Sequence, residues 1–131
     1  MLTIRDVERV LAEHPWLKPP RNVIIVKEPI EMIEGYRKIF FAGLTPSWKR
    51  DTIILSSLAS PETIVHEIIH TYGLGETAAW TIAPKIRKFR EKFPPLFKRK
   101  VKYVKCEGCE EFRVLHEKYS DRAEHYVLVE D

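Results

Sequence analysis

His66, Glu67 and His70 stand in the pentapeptide His66-Glu67-Ile68-Ile69-His70, and their types and spacing suit metal chemistry. On a helix, residues four apart differ by about 40° around the axis, so His66 and His70 point the same way and can share one metal ion. Glu67 is next to a ligand in sequence but too far round to join the same coordination arc, which leaves it free to take a proton from metal-bound water. Two neutral imidazoles on a divalent ion with a carboxylate alongside are the parts of zinc-dependent peptide hydrolysis.

The surrounding residues extend the pattern. Ser60-Pro61-Glu62-Thr63 reads as a helix start, with Ser60 as cap, Pro61 at the first helical position and Glu62 near the positive end of the dipole. Ile64, Val65, Ile68, Ile69 and Tyr72 then form an apolar face, and Glu62, Thr63, His66, Glu67 and His70 the opposite one. An ordinary amphipathic helix with a solvated face would show this pattern too. The residues after His70 separate the two readings: Gly73 falls where a left-handed residue ends a helix, and Thr71-Tyr72-Gly73-Leu74-Gly75 is short enough to fold Glu76 back toward both histidines. Glu76 is therefore the expected third ligand, since a catalytic zinc commonly takes three protein groups and a water.

The stretch from His66 to Glu76 resembles the zincin metallopeptidases. Its H-E-x-x-H-x-x-G-x-x-(third ligand) spacing is similar to that of the metzincins, with Glu76 in place of their usual His; the only methionines, Met1 and Met32, lie upstream of it. A Glu ligand opening a second helix, as in Glu76-Thr77-Ala78-Ala79-Trp80, resembles the gluzincins, and a short chain of this kind resembles the minigluzincins. The resemblance covers roughly residues 50 to 92. It implies one catalytic Zn2+ held by His66, His70 and Glu76, with Glu67 as general base, acting on a peptide or protein substrate in an enzyme that is either active or latent.

These residues need a scaffold, and the expected one is α+β: a small mixed sheet packed on the His66 helix and a second helix, with a C-terminal β-hairpin appendage. An amphipathic helix is expected from Thr3 to Glu13, with Ile4, Val7, Val10 and Leu11 inward. Val23–Val26, Arg37–Ala42 and Thr52–Ser56 read as strands, the last two separated by the turn-rich Gly43-Leu44-Thr45-Pro46-Ser47. Either Arg37–Ala42 or Thr52–Ser56 is the expected edge strand that binds extended peptide. The second helix should run from Glu76 to Lys92, kinked or divided at Pro84, and Pro94-Pro95 should end it. Lys100–Cys106, Glu111–His116 and Tyr126–Val129 read as C-terminal strands.

Cys106 and Cys109 have the spacing of a metal knuckle, with Gly108 suited to the turn between them, and His116 and His125 could complete a second, structural Cys₂His₂ zinc site. Free thiols or a disulfide are the competing readings. Tyr72, His116 and His125 are also candidates for steadying an oxyanion. Between Lys85 and Lys105 there are ten Lys and Arg residues and one acid, Glu91. Nucleic-acid binding is one reading of that stretch; a solvated helix face and a Lys-protected edge strand are the favoured one. A zincin motif followed by a basic, Cys-bearing segment also resembles the SprT-like DNA-associated proteases, and a non-enzymatic zinc-containing nucleic-acid-binding module is the alternative class.

At 131 residues the chain is expected to form one catalytic domain, residues 1–131, with 100–131 as the knuckle or hairpin extension. Its first residues lack the apolar run of a signal peptide and no segment approaches membrane-spanning length, so a cytoplasmic protein is expected. The absence of Gln, a single Asn (Asn22) and abundant Lys, Arg and Glu match the composition of hyperthermophile proteins, so a hyperthermophile or its virus is the expected source. A net charge of +3 is too small to imply a nucleic-acid partner by itself.

Overall fold

Two uninterrupted apolar runs set the centre of the fold. The computed structural model describes residues 1–27, 30–46, 51–93, 99–106 and 123–129. In it Val23–Val26 falls in β1 (Asn22–Val26) and Ile53–Leu55 in β5 (Thr52–Ser56), and both strands are buried along their whole length. Strands without a polar face must be covered on both sides. Val23, Ile25, Ile53 and Leu55 join the helices in the main core. Ile24, Val26 and Ile54 face the other way, where Ile30 covers them.

β1 and β5 pair in parallel, from Asn22 opposite Thr52 to Val26 opposite Ser56. They are the middle of a five-stranded mixed sheet of order β4 (Gly43–Leu44), β5, β1, β7 (Ala123–Leu128), β6 (Tyr103–Lys105). With three helices among the described residues, this is the expected α+β class. The C-terminal hairpin is represented by the antiparallel pair β6–β7. It is continuous with the main sheet, because β7 also pairs antiparallel with β1. The expected strand Glu111–His116 and the Pro94-Pro95 stop lie outside the described residues.

The edge strand differs from expectation. Thr52–Ser56 is an interior strand, and Arg37–Phe41 (β3) pairs with Ile30–Glu34 (β2) in a separate two-stranded ribbon. The edge next to β5 is instead β4, antiparallel to it, in the stretch whose Gly and Pro content suggests only a turn. Two residues are too few to show the alternation that identifies a strand.

The helices pack on one face of the sheet. α1 (Ile4–Glu13) buries Val7, Val10 and Leu11, as its spacing required. α2 (Pro61–Thr71) buries Ile64, Val65, Ile68 and Ile69, and α3 (Glu76–Lys92) packs against it through the small Ala79 and Ala83. Pro84 does not divide α3, which runs unbroken through it. Proline removes one backbone donor, and here the buried Ala79 and Ala83 hold the helix against α2. No helix among the described residues is long and apolar enough to cross a membrane.

Part of the basic stretch serves this packing. Arg99 donates from Nε to the Leu11 carbonyl at 3.0 Å and from Nη2 to the carbonyls of His14, at 3.0 Å, and Leu17. Arg90 Nε donates to the Glu13 carbonyl at 2.9 Å. Both cations thus satisfy carbonyls at the C-terminal end of α1, where the helix dipole favours positive charge.

Candidate metal centre

The helix start that places the histidines is the one legible in the sequence. The Thr63 amide donates to Ser60 Oγ at 3.2 Å, and Pro61 opens the first turn of α2. At the other end the Gly73 amide donates to the His70 carbonyl at 2.9 Å, and Gly73 has φ 83°, a left-handed conformation that disfavours a Cβ. Gly75 has an ordinary φ of −80° and is the N-cap of α3. Only one of the two glycines is therefore needed for its backbone freedom. Glu76 comes next as the first residue of α3, so the turn between the helices carries it back to the histidines.

His66, Glu67 and His70 form a group that could hold a metal ion, with one ligand atom from each lying within 4.8 Å of the others. Glu76 comes closer still. Its Oε1 lies 2.7 Å from His70 Nε2 and its Oε2 3.5 Å from His66 Nε2, while the two Nε2 atoms are 3.1 Å apart. Donor atoms around one tetrahedral ion with bonds of ~2.0–2.1 Å are spaced by about 3.3 Å; the 3.1 and 3.5 Å separations are near that value, whereas 2.7 Å is the length of a hydrogen bond. Such atoms, each carrying a lone pair, repel at these distances unless a proton or a metal cation lies between them.

The histidines are prepared for this. His70 Nδ1 lies 2.8 Å from the Leu74 carbonyl, which can only accept, so Nδ1 carries the proton and Nε2 keeps its lone pair in the neutral ring. His66 is buried, its ring in edge contact with Trp80 at 4.7 Å. Burial, with help from His70, holds its imidazole below the usual range against the opposing pull of Glu76, which favours the neutral form that binds metal.

Glu67, although on the polar face of α2, is only 5% exposed, which does not fit the alternative of an ordinary helix with a solvated face. Gly43, on the edge strand, packs directly over it, and Thr45 Oγ1 donates to its Oε1 at 2.9 Å. Burial raises the Glu67 carboxyl to about 7, with the Thr45 hydrogen bond and His70 pulling the other way. A carboxyl near neutrality can both accept and return a proton at working pH.

Two clefts meet at these residues. One, of about 230 Å³, is lined by Leu44, Pro46, Gly73 and Leu74; the other, of about 390 Å³, by Ser60, Glu62, Thr63 and Trp80. Phe41, Gly43, Glu67 and Glu76 line both. Together they make a groove across the candidate centre, along β4, with the exposed aromatic rings of Phe41 and Trp80 beside it.

The other described candidates, Tyr72, Cys106 and His125, are elsewhere. Tyr72 lines a separate cavity with Lys18, Arg21 and Asp51, and its hydroxyl accepts the Lys18 amide at 2.6 Å. His125 is buried in β7, its Nε2 3.0 Å from Asn22 Oδ1, and Cys106 is disulfide-bonded. Cys109 and His116 lie outside the described residues. Sequence reasoning missed Gly43, Thr45 and Trp80. Trp80 carried a signal, one helical turn beyond Glu76 on the same face; Gly43 and Thr45 carried none, because only the sheet brings them to α2. No family model, curated protein or solved structure matches this chain.

Proposed function

We propose that the chain is a zinc-dependent metallopeptidase of the zincin kind, in which His66, His70 and Glu76 would hold the ion and Glu67 is the general base. The observation that carries this reading is the division of labour between two carboxylates. Glu76 meets both imidazole Nε2 atoms at 2.7 and 3.5 Å, whereas Glu67, one residue from a histidine, is held on Thr45. Two His and one Glu form an established catalytic set for zinc, and three protein ligands leave a position open.

A bound zinc ion would supply Lewis acidity, polarising a scissile carbonyl and making water acidic enough to attack near neutral pH. The rest of the chemistry falls to the chain itself. Glu67 takes the proton of the attacking water and returns it to the leaving amine, a task matched by a carboxyl raised to about 7. His70 is kept in its metal-binding tautomer by the Leu74 carbonyl. β4, an edge strand among the described residues, would pair with an extended peptide, and the two clefts would accept side chains on either side of the scissile bond.

The test is cleavage of β-casein, an unfolded protein, by zinc-loaded wild type and by Glu67→Ala. Cleavage by the first, and loss of cleavage with zinc retained in the second, is the expected result. Equal cleavage by both would remove Glu67 from the mechanism.

A further inference from the structure

Glu67 is gripped by Gly43, in the edge strand, and by Thr45, just after it. Thr45 Oγ1 lies 2.9 Å from Glu67 Oε1 and 3.0 Å from the Glu67 main-chain oxygen, so its single proton is shared between the carboxyl and the backbone of one residue. At Gly43, a Cβ would stand 2.8 Å from Glu67 Cγ and 2.9 Å from Oε2, closer than any side chain could be accommodated without movement. Positions two apart on an extended segment point the same way, and these two leave the carboxyl a narrow slot. Among the described residues no other side chain donates to it. Its oxygens nevertheless lie near enough to His66 and His70 to be grouped with them as metal donors.

We infer that Thr45 is a positioning residue that holds the Glu67 carboxyl by one oxygen, keeping it available as the base and preventing it from swinging in as a fourth metal ligand. This deepens the hydrolase reading and rests on it. Without the hydroxyl, a buried carboxylate beside a divalent cation gains most by binding the cation directly, which would fill the position that water needs. Thr45 also comes directly after β4, so the strand proposed to carry substrate is the one that sets the base. Its branched Cβ restricts the side chain to few rotamers, which suits a fixed donor.

Thr45→Val keeps the shape and removes the hydroxyl, whereas Thr45→Ser keeps the hydroxyl. With zinc-loaded protein and β-casein, Thr45→Val is expected to lose about 10- to 100-fold in kcat with KM changed by less than about 2-fold, the range typical of a lost outer-shell partner. Thr45→Ser should recover most of that loss. A second measurement needs no substrate. In cobalt-loaded protein the visible absorption of the ion reports its ligands; it should change in Thr45→Val, stay as wild type in Thr45→Ser, and return toward wild type in Thr45→Val/Glu67→Ala. Wild-type kcat in Thr45→Val, a loss that Thr45→Ser does not recover, or identical cobalt spectra in wild type and Thr45→Val would each overturn the inference. If the zinc-loaded wild type cleaves nothing, the hydrolase reading falls, and the cobalt spectra alone decide what Thr45 does to Glu67.

Discussion

His70 donates from Nδ1 to the main-chain oxygen of Leu74 at 2.8 Å, so the turn that delivers Glu76 to the candidate centre also fixes which nitrogen of His70 faces it. Turn geometry and ligand chemistry are thereby one structural requirement. A distortion between residues 70 and 76 should disturb both the position of a carboxylate and the tautomer of an imidazole.

Gly73 and Gly75 give that turn a sharp contrast. Gly73 has φ 83°, so Gly73→Ala should cost about 1–2 kcal/mol of stability and weaken zinc binding. Gly75 has nothing within 4 Å of a would-be Cβ and is an N-cap, so Gly75→Ser should be neutral or stabilising by a few tenths of a kcal/mol. Chemical denaturation and competitive zinc titration of both variants check this; equal costs would mean that the turn does not depend on the left-handed residue.

His14 should make stability sensitive to mild acid. It is fully buried, with Nδ1 2.6 Å from the Val10 carbonyl, and no partner for Nε2 among the described residues. Burial holds its imidazole below the ordinary 6.5, opposed by the Val10 hydrogen bond and Glu13 and assisted by Arg87 and Arg90. As pH falls through about 6.5 the unfolded chain takes up a proton that the folded chain refuses, so stability should fall as the solution is acidified below that point. In metal-free protein, His14→Gln should show a shallower fall than wild type across that window; parallel curves would show that His14 does not contribute.

Arg99 reaches three carbonyls at the end of α1, those of Leu11, His14 and Leu17. Arg99→Ala should cost about 2–3 kcal/mol, because buried acceptors lose a charged donor. Arg99→Lys should recover only part, since an ammonium lacks the planar fork. Equilibrium unfolding in urea is the measurement, and a change below about 0.5 kcal/mol would mean these contacts are not used in solution.

The parts of the fold legible in the sequence were those written in consecutive residues. The cap at Ser60, the apolar spacing of α2, the strands β1 and β5 and the Gly73 stop all depend on local rules. The approach of Glu76 to the two histidines was legible for the same reason, as it lies six residues after His70 across one turn. Pairing over distance set the parts that escaped. Thr45 meets Glu67 across 22 residues, and only the docking of β4 on β5 brings it there. The buried state of Glu67 was hidden likewise, because the residue that covers it, Gly43, contributes no side chain of its own. In the basic stretch, Arg90 and Arg99 bond carbonyls at the end of α1 instead of lying on the solvated face favoured for that stretch.

The most direct test of the proposed centre is a crystal structure of the zinc-loaded protein with anomalous scattering measured at the zinc edge. One ion bonded to His66 Nε2, His70 Nε2 and a Glu76 oxygen, with Glu67 still on Thr45 and outside bonding distance, is the expected result. Zinc bonded to Glu67 instead of Glu76, or no zinc at the two histidines, would contradict it.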